Sequence, residues 1–345
     1  MQDPESSEAT QSQVIRVEDL WFPKDTTIAI RAGNKIFLVS GAVLAARSAV
    51  FRDMLALPQP TSTGDSEQID GSPVVRLHDA AEDVEVFLRA IFDSSYFMPA
   101  PAPIELAVVL SILRLSHKYD IQYLHRRALT HLAEDGWYRK TCQWDDESGN
   151  HLLEDASSLN ASPGLAFSIL DAVKEVEALW LMPLAYYCAS TFTPQECSPF
   201  LHGSTEQFAR NAVAIHPYLV RATININQFL TLHDRCATTK RCTSVRQKHL
   251  DSLFSRVDLE DDQDPLAEWE RGKLEDLKVQ GMCDPCYRLA KKRRNKAATE
   301  FLDKLPSLYG LPPWEELRAM KQTAMGEEEE AEEDEESDED IGMWS

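Results

Sequence analysis

The segment most informative about the fold is Lys35-Ile-Phe-Leu-Val-Ser-Gly-Ala-Val-Leu-Ala-Ala-Arg-Ser-Ala-Val-Phe-Arg-Asp-Met-Leu55. Its first five residues form a β-rich run, and a similar run, Thr26 to Ile30, precedes it. Ala32-Gly33-Asn34 lies between the two runs and is typical of a hairpin turn. Ser48 supplies a hydroxyl oxygen suited to capping a helix. The spacing of the apolar residues after it predicts one helical face: Val50, Phe51, Met54 and Leu55.

Further strand and helix patterns follow this stretch. Val74 to Leu77 predicts a third strand, and Glu82 to Phe92 predicts an amphipathic helix. Residues 104–119 are apolar on nearly all sides, which indicates a helix at the centre of a helical layer. A last helix is predicted around Leu124 to Leu132. The first third of the chain is therefore predicted as an α+β domain, a short β-sheet covered by a helix cluster.

A hairpin followed by V-L-A-A-R-S-x-V-F-R-x-M-L resembles the BTB/POZ family, whose pattern reads roughly L-A-x-R-S-x-V-F-x-x-M. Many family members carry His between the second strand and the first helix, where this chain has Ser40. The matching residues are Leu44, Ala45, Arg47, Ser48, Val50, Phe51 and Met54. The resemblance implies a domain that binds itself or other proteins, often as an adaptor that presents substrates to a cullin-type ubiquitin ligase.

The second half of the chain is predicted to be mainly α-helical. It resembles the region that follows the BTB domain in a set of fungal proteins, through L-M-P-L-A-Y-Y at residues 181–187, C-x-x-C at 283–286 and L-P-x-x-Y-G-L-P-P-W-E-E-L at 305–317. A helix break is predicted at His216-Pro217. The predicted segments are a disordered N-terminus (1–17), the BTB/POZ domain (18–136), a linker or loop (137–162), a helical region (163–322) and a disordered acidic tail (323–345).

The charge balance argues against general nucleic-acid binding, which depends on Lys and Arg. The chain has 57 acidic and 35 basic residues, a net charge of −22. Twelve of the fourteen residues from Glu327 to Asp340 are acidic, and without them the net charge is −10. Residues 1–13 contain no secretory signal pattern, and the longest uncharged run, residues 178–195, is too short and polar to span a bilayer. We therefore expect an intracellular protein of the nucleus or cytoplasm.

Cysteine spacing indicates a candidate metal site. Cys283 and Cys286 form a C-x-x-C, which lets two thiolates bind one Zn²⁺, and a second pair closes a structural site. Cys236 and Cys242 are the candidate second pair, although their C-x5-C spacing is longer than usual. His233 or His249 are substitute ligands for this pair. The alternative is four unconnected thiols, with Cys236 packed on an apolar helix face.

The segment from Arg288 to Lys296 carries six basic residues in nine positions. Such a cluster is typical of a nuclear import signal or a small anion-binding patch. The alternatives are a solvated helix face and electrostatic attraction to the acidic tail. A disordered tail of this composition acts by default as a solubilising segment.

No motif for nucleotide binding, metalloprotease chemistry or a serine nucleophile occurs in the chain, so we predict a non-enzymatic protein. The leading hypothesis is self-association through the BTB domain or an adaptor role on a cullin scaffold. A nuclear transcription or chromatin regulator dimerised by that domain is the alternative. Carried over by position, the partner-binding candidates are Phe51, Met54 and Tyr119, any of which could instead belong to the core.

Overall fold

The computed structural model describes residues 15–21, 27–57, 68–134, 162–227, 236, 238–254, 265–266 and 276–326. The chain divides into two compact units, Met1–His131 and Leu132–Ser345. The predicted linker except its last residue, Ser162, and His233 lie outside the described residues, as do residues 1–14 and 327–345 of the predicted terminal segments. Residues 323–325, predicted as the start of the tail, are helical. None of the described helices is long and apolar enough to cross a membrane.

The first unit is an α+β fold built on one five-stranded sheet. Its strands are β1 (Ile15–Trp21), β2 (Thr27–Ala32), β3 (Lys35–Ser40), β4 (Gln68–Ile69) and β5 (Ser72–Leu77). They lie in the order β1-β3-β2-β5-β4. The predicted hairpin is confirmed, because β2 and β3 pair antiparallel and Gly33 occupies the turn with φ +53°. β5 runs parallel to β2.

Strand β1 is an addition to the predicted fold. It begins at Ile15, three residues inside the segment predicted to be a disordered N-terminus, and it pairs parallel with β3 from Ile15 opposite Lys35. The polar composition of the first residues predicts disorder. Residues 15–17 are nevertheless ordered as a strand, because they form backbone hydrogen bonds with a strand twenty residues away. The composition of the segment alone does not reveal such a partner.

In the described part of the chain, five helices accompany this sheet: α1 (Gly41–Arg47), α2 (Ala49–Ala56), α3 (Ala81–Phe92), α4 (Leu106–Lys118) and α5 (Gln122–Glu134). Helix α4 is apolar on nearly all sides, as predicted. It buries residues on several of those sides, among them Val109, Ile112 and Leu115.

Ser48 connects α2 to the end of α4. Its hydroxyl accepts a hydrogen bond from Phe51 N at 3.0 Å, as predicted for the N-cap, and donates one to the Tyr119 carbonyl oxygen at 2.5 Å. The Tyr119 hydroxyl donates to Asp79 at 2.6 Å. Ser48 is 1% exposed, so a lost partner there cannot be replaced by bulk water.

The second unit is helical within its described residues. Three short 3₁₀ turns, Leu179–Leu181, Ser198–Phe200 and Gly203–Thr205, connect its helices. The helices are α6 (Pro163–Glu175), α7 (Met182–Thr191), α8 (Pro194–Cys197), α9 (Glu206–Asn227), α10 (Thr239–Phe254), α11 (Asp284–Leu308) and α12 (Trp314–Met325).

The predicted helix break at His216-Pro217 is wrong, because α9 runs through Pro217 without interruption. Packing on both sides of the proline holds the helix together. His216 is 4% exposed and its Nδ1 lies 3.1 Å from the carbonyl oxygen of Ser190 on α7, while Leu219 is fully buried. Tertiary contacts therefore outweigh the missing backbone donor of Pro217.

We expect Ser48→Ala to destabilise the first unit by about 2–3 kcal/mol, because it removes the cap and leaves Phe51 N–H and the Tyr119 carbonyl buried without this hydroxyl. Ser40→Ala is the matched control. Ser40 is half-buried and caps α1 through a long, solvent-exposed hydrogen bond from Val43 N at 3.4 Å, so its loss should cost only about 0.5–1 kcal/mol. Urea unfolding, followed by hydrogen exchange in residues 49–57, measures both; equal costs would contradict the role given to Ser48.

Candidate functional site

The four predicted metal-site cysteines come together in the second unit. The Sγ atoms of Cys236, Cys242, Cys283 and Cys286 all lie within 4.8 Å of one another, and we call these residues the cysteine cluster. The Sγ–Sγ distance is 3.1 Å between Cys283 and Cys286 and 3.4 Å between Cys286 and Cys236. All four are free thiols. Four sulfur donors so arranged could hold a metal ion.

Two helix N-termini bring these residues together, which accounts for the unequal spacing of the pairs. Cys283 is the N-cap of α11 and Cys286 lies in the first turn of that helix. Cys236 precedes α10, which begins at Thr239, and Cys242 lies in its first turn. The long C-x5-C spacing therefore arises from the residues that lead into α10. Positive partial charge at both helix N-termini favours thiolates at this position.

Hydrogen bonds to sulfur surround the cluster. The Cys283 N–H donates to Cys242 Sγ at 3.3 Å, the Thr238 hydroxyl lies 3.3 Å from the same sulfur, and Arg246 donates to Cys286 Sγ at 3.2 Å. Donors of this kind orient metal ligands and stabilise their charged form. The spacing of cysteines gives no sign of Thr238 or Arg246, so sequence reasoning missed both.

The electrostatics of the two buried cysteines differ. Burial raises the pKa of the Cys242 thiol, but the hydrogen bonds from Cys283 N–H and Thr238 outweigh burial, and the net pKa lies below its ordinary value. Burial also raises the pKa of Cys286 well above its ordinary value, and the neighbouring sulfur atoms add to this rise while Arg246 opposes it. Several thiolates this close together require a cation to balance their charge.

A small apolar core encloses the cluster. Cys242 is fully buried and Cys286 is 2% exposed, while Cys236 and Cys283 are half-buried. The enclosing core is separate from the main helical core, and its other buried members are Val245, Leu277, Met282 and Ala290. Of the predicted substitute ligands, His249 lies two turns beyond Cys242 on α10 and is not one of the clustered residues.

The partner-binding candidates lie mainly in the core of the first unit. Phe51 is fully buried and Tyr119 is 6% exposed, and their rings stack with centroids 4.9 Å apart. Burial raises the pKa of Tyr119, and the hydrogen bond to Asp79 raises it further. Neither side chain is available on the surface of the single chain. Met54 is half-buried, and partner contact by Met54 stays a prediction.

Helix α2 exposes other apolar residues instead. Val50 is 40% exposed and Leu57, at its C-terminal end, is 65% exposed. Val50 and Met54 have i, i+4 spacing on α2, and Leu57 follows the helix as its C-cap with an extended backbone. The predicted apolar face of α2 is buried unevenly: Phe51 is fully buried, Met54 and Leu55 are half-buried, and Val50, at one edge of the face, is exposed.

Comparison with known proteins identifies the first unit. Residues 18–135, a third of the chain, match the BTB/POZ domain family. The chain thus contains a BTB/POZ domain, a protein-interaction domain, followed by a mostly helical region. No curated protein matches the chain, and no solved structure matches it. The fungal-type resemblance of the second half stays a prediction.

Gly281 provides a direct test of how the cysteine cluster is held. Its φ of +103° is strained for any side chain, and an added Cβ would lie 2.0 Å from Arg241 Nε. We expect Gly281→Ala to shift the turn before Cys283 and to raise the rate at which an aromatic disulfide reagent modifies Cys283 and Cys286 at least threefold.

The control is Gly310→Ala, at φ +67° with open space around the added Cβ and outside the cluster. Its φ is also positive but lies in the left-handed region, which alanine adopts at a smaller cost, and the substitution should leave the rate of thiol modification unchanged. Equal acceleration in the two variants would show that the cluster does not depend on the Gly281 turn.

Proposed function

We propose that this chain is a non-enzymatic protein-interaction protein that self-associates through its BTB/POZ domain. The proposal is supported by an apolar stripe that consists of exposed Val50 and half-buried Met54 on α2 and of exposed Leu57, the C-cap that follows the helix. Val43 on the adjacent helix α1 is also 37% exposed. Apolar side chains gathered on neighbouring helices favour burial against another protein surface.

The sheet edge offers a second element for association. β1 is an outer strand of the sheet in the described part of the chain, with β3 on its other side. An edge strand presents backbone donors and acceptors that can pair with another chain. A second copy of the chain would bury the apolar stripe and pair its backbone with β1. Apolar burial would then stabilise the dimer, and the backbone hydrogen bonds would fix how the two copies align.

We expect Val50→Glu to weaken self-association at least tenfold, because the stripe would have to bury a carboxylate. Ala56→Glu is the matched control: Ala56 is exposed on α2, and helical geometry places it roughly 120° away from the stripe. Sedimentation equilibrium of the full-length variants measures the dissociation constants. A monomeric parent chain, or equal weakening by both substitutions, would contradict the proposal.

An adaptor role on a cullin-type scaffold extends this proposal, and it rests on the BTB/POZ resemblance. The alternative is a nuclear transcription or chromatin regulator, which the exposed basic residues of α11 favour. Affinity purification of the tagged full-length chain separates the two. A co-purified cullin supports the adaptor, and chromatin components without a cullin support the regulator.

We further propose that the cysteine cluster binds one structural Zn²⁺. Tetrahedral coordination at a Zn–S distance near 2.3 Å places sulfur atoms about 3.8 Å apart. The Cys236–Cys283 distance of 3.9 Å matches this value, and the Cys286–Cys236 and Cys283–Cys286 distances of 3.4 Å and 3.1 Å would lengthen by a few tenths of an ångström on binding. A closed set of four protein ligands has no open position for substrate, so the ion would stabilise the fold of the second unit.

We expect one zinc per purified chain, and loss of at least 80% of it in the Cys283→Ser, Cys286→Ser double variant, because two of four ligands are removed. Cys188→Ser, which changes a half-buried thiol outside the cluster, should retain the metal. Inductively coupled plasma mass spectrometry measures the content. A parent chain purified without chelators that contains no zinc would remove this proposal.

A further inference from the structure

Helix α11 carries an exposed basic stripe beside the cysteine cluster. Arg288, Lys292 and Lys296 have i, i+4, i+8 spacing and Lys291 flanks them; all four are exposed. We call these four residues the basic face. The opposite side of the same helix is buried through Cys286, Ala290, Arg294, Ala298 and Leu302. Packing therefore fixes the direction in which the basic face points.

The charges of the basic face are largely unbalanced within the described residues. Lys296 lies 3.8 Å from Glu300, and no ion pair forms with Arg288, Lys291 or Lys292 in the described part of the chain. Residues 236–254 and 276–296 together contain eleven basic and three acidic residues. This local excess of positive charge contrasts with the net charge of −22 for the whole chain.

The chain itself contains a segment of complementary charge. Residues 327–340 carry twelve acidic residues and no basic one. The other acidic segment, residues 255–275, has eight acidic and three basic residues. The continuous single-sign charge of the C-terminal segment makes it the stronger electrostatic partner for a basic stripe.

The acidic segment begins close enough to α11 to reach the basic face. Trp314 Nε1, at the start of α12, donates to the Leu302 carbonyl oxygen of α11 at 2.9 Å, and α12 ends at Gly326. A path along α12 and back along α11 to Lys296 is under about 40 Å. Fourteen extended residues reach about 50 Å. Tethering also raises the effective concentration to the order of millimolar.

We propose that the acidic segment 327–340 docks on the basic face of α11 and shields it from other polyanions. The inference is independent of zinc and of BTB self-association, because it uses only the charges of α11 and of the C-terminal segment. The docking is electrostatic between exposed groups, so it weakens as salt screens the charges.

Zero-length carbodiimide cross-linking of the full-length chain tests the contact directly. We expect cross-links from the carboxylates of 327–340 to Lys291, Lys292 and Lys296, with loss of most of them in 0.5 M NaCl. Lys304 is the internal control: it is exposed on α11 and lies nearer Leu302 than the basic face does, so tethering alone favours it. Preferred cross-links to Lys304, or cross-links of the basic face to residues 255–275, would overturn the proposal.

Binding of a fluorescent DNA duplex tests the shielding. We expect the full-length chain with the twelve acids replaced by Gln and Asn to bind the duplex at least tenfold more tightly than the parent in 50 mM salt. Adding R288Q, K291Q, K292Q and K296Q should return binding to the parent level.

The matched control adds K240Q, K248Q, K304Q and R318Q to the neutral-segment variant, which removes the same charge from other exposed positions. It should keep most of the gained affinity. Equal loss in both quadruple variants would show that duplex binding depends on total charge and not on the basic face. A parent chain that binds the duplex as tightly as the neutral-segment variant would show that the face is not shielded. Either result would overturn the proposal.

Discussion

The convergence of four cysteine sulfur atoms within 4.8 Å of one another is the constraint on which the C-terminal part of the second unit depends. Among the described residues, the apolar core around them has six buried members, two of which are cysteines themselves. So small a core contributes little stability, and small domains commonly rely on metal or disulfide links. Closing the segment between Cys242 and Cys283 by a metal would fix α10 against the start of α11.

Helix α11 transmits that constraint to the rest of the unit. Its first turns belong to the cysteine cluster, whereas Ala298, Leu302 and Leu305 are buried further along the same helix. A single rigid helix therefore joins the small core to the helical bundle, where it lies against α7 and α9. Within the bundle, the Tyr187 hydroxyl of α7 also accepts a hydrogen bond from Leu266 N at 3.0 Å. The orientation of the basic face follows from this burial.

Much of the fold could be predicted because its signals are local. The Ser48 cap, the turn at Gly33 and the amphipathic period of α3 each depend on a few adjacent residues. The membership of the cysteine cluster followed from residue type and spacing, although Cys236 and Cys242 departed from the usual interval. Side-chain chemistry limits the choice of thiolate ligands more strongly than backbone geometry does.

What the sequence did not reveal depends on contacts between distant residues. β1 gains its hydrogen bonds from β3, and α9 continues through Pro217 because α7 packs against it. The burial of Phe51 depends on its stacking with Tyr119, 68 positions away. Arg246 reaches Cys286 only after α10 and α11 have come together. Each of these features requires the tertiary arrangement, which neither periodicity nor composition contains.

Zinc K-edge X-ray absorption on the purified full-length chain tests whether the four cysteine thiolates hold one zinc ion. We expect a single shell of four sulfur scatterers at about 2.3 Å, with no nitrogen or oxygen ligand. A shell containing nitrogen or oxygen would contradict the four-cysteine assignment, since it would require a histidine, a carboxylate or water in place of one of these thiolates.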